Sequence, residues 1–327
     1  MLRKRIKHLF LIALTLTVAA CSNRKAGDGV EVKFERFEQL LFETQPDMLQ
    51  QRLVAEQNRF NTPLLNLAPQ DEQYMAMVQG FVSDPVIRDV YSTVDSLYHD
   101  LGWLEDELKS SLGRAKSVYT TLTCPKFYTL ITADFQDYRN RVFCDGTSLV
   151  LSIDRYALPY FGRYQYFGVP LYLVNLCNRQ YMAADCMAAI ARANIELPDG
   201  KMTLLDYMVA EGKTLYFLSQ TMSDVDDTIL MRYTGEQMDW MKQNESQVWA
   251  YLIQNKLLYE TDYSQFHNLL DDAPKTNAFG EGSAPRTVAY IGWQIVSRYA
   301  KKTKTPMDKL FAQTDSKKIL QQSSYRP

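Results

Sequence analysis

The chain has 327 residues, 46% of them apolar and 23% charged, with a formal charge of −2. That apolar share is ample for a buried core, and the length suits one large domain or two small ones. So mildly acidic a balance gives no electrostatic reason to bind nucleic acid, which calls for a basic patch.

The chain opens with a positive stretch, Arg3, Lys4, Arg5 and Lys7, followed by an apolar run from Leu9 to Ala19. The run is too short to cross a hydrocarbon core as a helix, which takes about 20 residues. A basic start, a short apolar run and small residues after it describe a cleavable export signal over residues 1–20. The segment Val18-Ala19-Ala20-Cys21 resembles the lipobox of bacterial lipoproteins. In a lipobox the cysteine thiol is acylated and becomes the first residue of the mature chain. Three fatty chains, palmitate among them, withdraw dozens of methylenes from water at roughly 0.8 kcal/mol each, which makes such an anchor permanent. Ser22 stands where Asp would mark retention in the inner membrane, so the outer membrane is expected, with the domain facing the periplasm. Residues 21–33 are expected to be the lipidated Cys21 and a polar tether. Removing residues 1–20 takes away four basic residues and no acidic ones, leaving a formal charge of −6.

From Phe34 to about Lys116 the apolar positions recur at three- and four-residue steps, and Pro46, Pro63, Pro69 and Pro85 fall at helix starts or breaks. Between Ser117 and Leu158 the texture changes. Val118–Leu122 and Phe127–Thr132 are rich in β-branched and aromatic residues. Arg141–Cys144, the turn former Asp145-Gly146 and Thr147–Ile153 read as a hairpin. A sheet of three or four strands is expected around 117–156, and Tyr156–Tyr172 reads as an aromatic loop. Helical patterning then dominates to about Leu320. One helix starts at Thr203, with Asp206 three residues on, and runs to about Thr221. A second starts at Thr234 with Gln237 as a fuller capping box and runs to about Tyr259. A third starts near Arg286 and carries Val288, Ile291, Ile295 and Tyr299 on one face.

Four cysteines remain besides Cys21. An oxidising compartment permits Cys124–Cys144 with Cys177–Cys186, and four buried thiols are an equal alternative. No CxxC pair is present, which argues against thiolate-bound metal.

Two glutamates sit on apolar stripes. Leu204, Met208, Glu211, Leu215 and Leu218 share one helix face, as do Met238, Met241, Glu245, Val248 and Leu252. A buried carboxylate without a partner costs several kcal/mol or takes up a proton. Each glutamate therefore calls for a partner, with Arg286 and Arg298 as candidates, either in a functional cleft or in a structural ion pair. The zinc-peptidase signature H-E-x-x-H would place histidines at 210 and 214, but Ala210 and Thr214 stand there. His99 and His267 are the histidines outside the leader, and they form no pair at helical spacing. No G-x-S-x-G elbow, P-loop or dinucleotide-binding fingerprint occurs.

The segments Met208–Lys213 with Leu215-Tyr216, Arg232–Glu236 to Trp240, Asn244-Glu245 with Val248-Trp249, Leu257–Tyr259, and Ala284–Arg286 with Ile291–Val296 resemble the GldB family of gliding-motility lipoproteins. The resemblance implies a zincin-like scaffold whose metal motif has decayed, without established enzymatic activity. The expected protein is α+β and mostly helical, with residues 34–327 forming one domain. No catalytic residue, metal or cofactor is assigned. An unidentified envelope protein or peptide is the expected partner, in a cleft formed by Glu211, Glu245 and Arg286 with Lys213 and Tyr216 nearby. The alternative is a zinc-dependent peptidase with an unorthodox ligand set such as Glu245 with His267.

Overall fold

The computed structural model describes residues 30–134, 140–160 and 168–327. The leader, Cys21 and the tether up to residue 29 lie outside the described residues, as does 161–167 of the aromatic loop. Packing begins before Phe34: Val30 and Val32 are already buried. They lead into a short strand, β1 (Phe34–Arg36), where the helical reading of this region had placed none. Five helices follow: α1 (Phe37–Glu43), α2 (Leu49–Glu56), α3 (Glu72–Ser83), α4 (Pro85–Tyr98) and α5 (Gly102–Val118). Asp71 caps α3 by accepting from the Tyr74 N–H. Asp84 does the same for α4, whose first residue, Pro85, has no N–H to satisfy.

The remaining strands are β2 (Lys126–Leu130), β3 (Val142–Cys144) and β4 (Ser148–Ser152). The sheet order is β1-β2-β4-β3, with β1, β2 and β4 parallel and β3 antiparallel at the edge. The expected hairpin forms between β3 and β4, with Gly146 at φ +89° supplying its turn. Every residue of β4 is buried, as a strand covered on both faces requires. Val118–Leu122 is not a strand: α5 runs to Val118, and the Tyr119 N–H still bonds the Ala115 carbonyl. Glu38 fastens α1 to the sheet. Its buried carboxylate accepts from Arg36 Nε at 2.6 Å and from Thr129 Oγ1 at 2.7 Å.

The second half is helical: α6 (Leu171–Leu176), α7 (Met182–Asn194), α8 (Leu204–Thr221), α9 (Asp227–Met231), α10 (Gly235–Gln254), α11 (His267–Leu270), α12 (Thr287–Thr303), α13 (Met307–Phe311) and α14 (Ser316–Ser323). The Thr203/Asp206 and Thr234/Gln237 capping boxes both form, starting α8 and α10 where expected. The α10 helix stops at Gln254, five residues short of Tyr259, because Lys256 turns into the left-handed region at φ +56°. One apolar cluster runs from Val30 to Tyr325. At its centre α8 and α12 lie backbone against backbone. A Cβ placed on Gly212 would strike the Gly292 carbonyl, and one on Gly292 would strike the Met208 carbonyl.

The four described cysteines are free thiols, Cys177 and Cys186 buried and Cys124 and Cys144 half-buried. The Cys124–Cys144 pairing is not made. Cys124 precedes β2 and Cys144 ends β3, with β4 between those strands. Two strand spacings of about 4.8 Å exceed the roughly 7 Å limit between bridged Cα atoms. Cys177–Cys186 is not bonded either.

Candidate functional site

Glu211 lies on the α8 face toward α7, and its carboxylate meets two guanidinium groups. Arg286 Nη2 donates to Glu211 Oε2 at 3.1 Å, and Arg192 Nη2, from the last turn of α7, donates to the same oxygen at 3.3 Å. Burial alone would raise the Glu211 pKa, but Arg192 and Arg286 outweigh it and hold it down at about 2.

The pair continues inward as an alternating chain of charges. Arg286 Nε lies 3.6 Å from Asp272 Oδ1, and Arg232 Nη1 lies 3.4 Å from Asp272 Oδ2. Arg232 Nη2 also donates to Asp185 Oδ1 on α7. The other oxygen of Asp185 accepts from Arg141 Nε at 3.1 Å and from the Tyr156 hydroxyl at 2.7 Å. Burial opposes ionisation of Asp185, yet Arg232 and Arg141 bring its pKa to about 2. Asp272 is lowered too, against its burial, by Arg232 and Arg286. Asp185, Asp272 and Glu211 thus balance the buried Arg141 and Arg286 and the partly exposed Arg232, while Arg192 closes the outer end with a half-exposed side chain.

Two backbone positions hold this chain in place. Arg232 closes α9 at φ +59° and Arg286 opens α12 at φ +49°, both left-handed and both non-glycine. Such conformations cost about 1–3 kcal/mol each and persist where the surroundings fix them. Here the Arg286 Nη1 bonds the Met231 carbonyl at 3.1 Å, and the Tyr233 hydroxyl bonds the Pro285 carbonyl at 2.8 Å, tying the two turns together.

The expected five-residue cleft is not assembled. Glu211 and Arg286 meet, but the void they share with Asp185, Arg192, Thr214 and Arg232 measures ≈ 10 Å³, room for about one water. Lys213 projects from another side of α8, wholly buried, and donates to the carbonyls of Phe311 at 3.3 Å and Gln313 at 2.6 Å. Burial lowers its pKa to about 8, with Glu196 opposing. Tyr216 lines a separate groove with α10 and α12. Glu245 accepts from the Tyr325 hydroxyl at 2.7 Å, far along the sequence. Arg298 is not its partner: it stacks over the Tyr325 ring at 4.8 Å and donates to the Arg326 carbonyl.

The unorthodox zinc set also fails to form. His267 Nδ1 sits 3.1 Å from the Ser264 carbonyl on the α11 side, while Glu245 is engaged with Tyr325. Among the described residues no three His, Cys, Asp or Glu side chains converge on a point. The sequence reading missed Asp185, Asp272, Arg141, Arg192 and Arg232. Asp185 had a signal: it is a lone carboxylate in the apolar run Met182–Ile190, the pattern that singled out Glu211.

The family model described as gliding motility protein GldB matches residues 21–327, from Cys21 to the last residue. No curated protein and no solved structure matches.

Proposed function

The chain belongs to the GldB family of gliding-motility lipoproteins, and from that premise we propose that it works by holding a partner in the cell envelope and not by catalysis. Its lipid sits on Cys21, where the family match begins, and Ser22 directs it to the outer membrane with the domain in the periplasm. Among the described residues no helix is long and apolar enough to cross a membrane, which fits attachment through the lipid.

The observation that carries the non-catalytic reading is the state of Glu211. A zinc peptidase of the zincin type needs its helix glutamate free to take a proton from a metal-bound water, with two histidines presenting the metal. In this chain Ala210 and Thr214 stand at the histidine positions. Thr214 Oγ1 is turned back onto the Ala210 carbonyl at 3.2 Å. The Glu211 carboxylate is engaged by two arginines and faces a void of ≈ 10 Å³, which admits neither a peptide nor a hydrated metal. A zincin-like ancestor whose metal was replaced by an arginine pair accounts for a carboxylate kept on an apolar helix face. The partner then binds elsewhere on the surface.

Two measurements on the full-length lipidated protein in detergent test this reading. Elemental analysis after purification without chelator should find far less than one zinc per chain, and peptide substrates should stay intact. Stoichiometric zinc, with hydrolysis that disappears in Glu211→Gln, would overturn it. Crosslinking in cells should recover a discrete envelope protein.

A further inference from the structure

Resting on the reading that the chain holds a partner, we propose that the groove between α8, α10 and α12 binds an acidic peptide segment through its carboxylates and an adjoining apolar side chain. The groove has a volume of ≈ 550 Å³, within the range of ligand sites and some fifty times the void at Glu211. Tyr216 from α8 and Tyr290 and Trp293 from α12 supply its rings, and Lys242 and Lys301 supply its charge.

The polar groups here are unspent. Tyr290 is 6% exposed and Trp293 is 8% exposed, so each ring is more than nine-tenths buried. Neither the Tyr290 hydroxyl nor the Trp293 indole N–H has a hydrogen-bond partner within the described protein, and neither atom is sealed from the groove. The Tyr216 hydroxyl is likewise unbonded, and among the described residues no carboxylate lies within ion-pair distance of Lys242 or Lys301, although Asp226 and Asp227 feel the charge of Lys242.

The chemistry of the occupant follows from that inventory. Three ring groups, two ammonium groups and the side chains of Ser219, Gln220, Gln294 and Ser297 line the groove with a single carboxylate, Asp227, whose ionisation burial and Asp226 oppose and Lys242 favours. Two ammonium groups against one lining carboxylate leave the groove short of negative charge, and lysines favour carboxylates among ligand acceptors. The ring faces add apolar surface for a side chain such as Leu or Phe. The positive groove also stands out on a mature chain whose formal charge is −6.

The test uses the full-length protein in zwitterionic detergent and two labelled hexapeptides, Asp-Glu-Leu-Phe-Glu-Asp and Lys-Lys-Leu-Phe-Lys-Lys, followed by fluorescence anisotropy. The acidic peptide should bind and the basic one should not. Lys242→Glu with Lys301→Glu should weaken binding by about tenfold or more, while Lys242→Arg with Lys301→Arg should hold it within about twofold. Both lysines are exposed, so neither pair of changes threatens the fold. Equal binding of the two peptides, or an acidic peptide indifferent to charge reversal, overturns the proposal. Displacement by phosphatidylglycerol vesicles but not by unlabelled acidic peptide overturns it in favour of a lipid surface. If the groove fails while crosslinking still captures a partner on another face, the partner-holding reading stands without this site. Stoichiometric zinc with peptide hydrolysis would instead remove that reading and leave the groove result to be judged alone.

Discussion

Glu211 and Arg286 are 75 positions apart in sequence and 3.1 Å apart in space, joining α8 to the start of α12. Together with Asp185, 2.7 Å from the Tyr156 hydroxyl, this pair makes stability depend on acid. Both carboxyls titrate near 2 in the folded protein, against ordinary values of 4.5 for Glu and 3.8 for Asp. A folded-state value below the unfolded one stabilises above the unfolded pKa, and the gain is lost as pH falls through the folded pKa. Stability should therefore drop between about pH 4.5 and about pH 2, with Glu211 alone accounting for about 3 kcal/mol. Glu211→Gln should lose about 2–3 kcal/mol at pH 7 and show a shallower acid limb. Urea unfolding followed by tryptophan fluorescence at pH 7 and pH 3 measures both, and acid limbs of equal steepness would refute the assignment.

The α8–α12 contact depends on two absent side chains. Gly292→Ala should cost about 3 kcal/mol or more, because its Cβ meets the rigid Met208 backbone and no side chain can swing aside. Gly80→Ala is the control. Gly80 is an exposed position inside α3 with nothing near its Cβ, so alanine should stabilise by about 0.5–1 kcal/mol. Thermal unfolding of the two variants should move in opposite directions.

These glycines show which information was local. The α8 and α10 starts were legible because a capping box spans four residues, and the β3–β4 hairpin because Asp145-Gly146 sits between its strands. The first strand was missed although Val30, Val32 and Phe34 alternate with exposed Glu31 and Lys33, because its partner, Phe127, lies over ninety residues away. Val118 reads as strand by composition, but packing of Leu112 and Ala115 carries α5 through it. The split of the candidate cleft was partly readable. At about 100° per residue, Lys213 and Tyr216 cannot share the Glu211 face of one helix. The partners Asp272, Arg232 and Arg141 come from separate loops and element ends, which no local spacing reveals.

The C-terminal tail is predicted to be structural. The Tyr325 ring packs edge-on against Trp249 at 5.1 Å and beneath Arg298, while its hydroxyl serves Glu245. Tyr325→Phe keeps the ring contacts and removes the one donor, for a cost of about 1 kcal/mol. Tyr325→Ala removes both and should cost about 3–5 kcal/mol. Chemical denaturation of the two variants separates the terms. Equal losses would show that the hydroxyl, and not the ring, holds the tail.

Lys213 makes a second pH prediction, at the alkaline end of the range. Its ammonium is buried against the carbonyls of Phe311 and Gln313, where α13 ends, without a carboxylate in ion-pair contact. It gives up its proton at about 8 in the folded chain and at 10.5 when unfolded. Between those values the unfolded state binds more protons, so stability rises with pH across the window. Lys213→Met fills the same space without a titrating group. Measured as the difference between wild type and Lys213→Met, the balance should shift toward wild type by up to about 3 kcal/mol from pH 8 to pH 10.5. Tyrosines and cysteines titrating in both proteins cancel in that difference. Urea unfolding at pH 7.5, 9 and 10.5 reads it directly. A constant difference across the three would mean that the folded protein does not hold the Lys213 amine in the low-pKa state its burial demands.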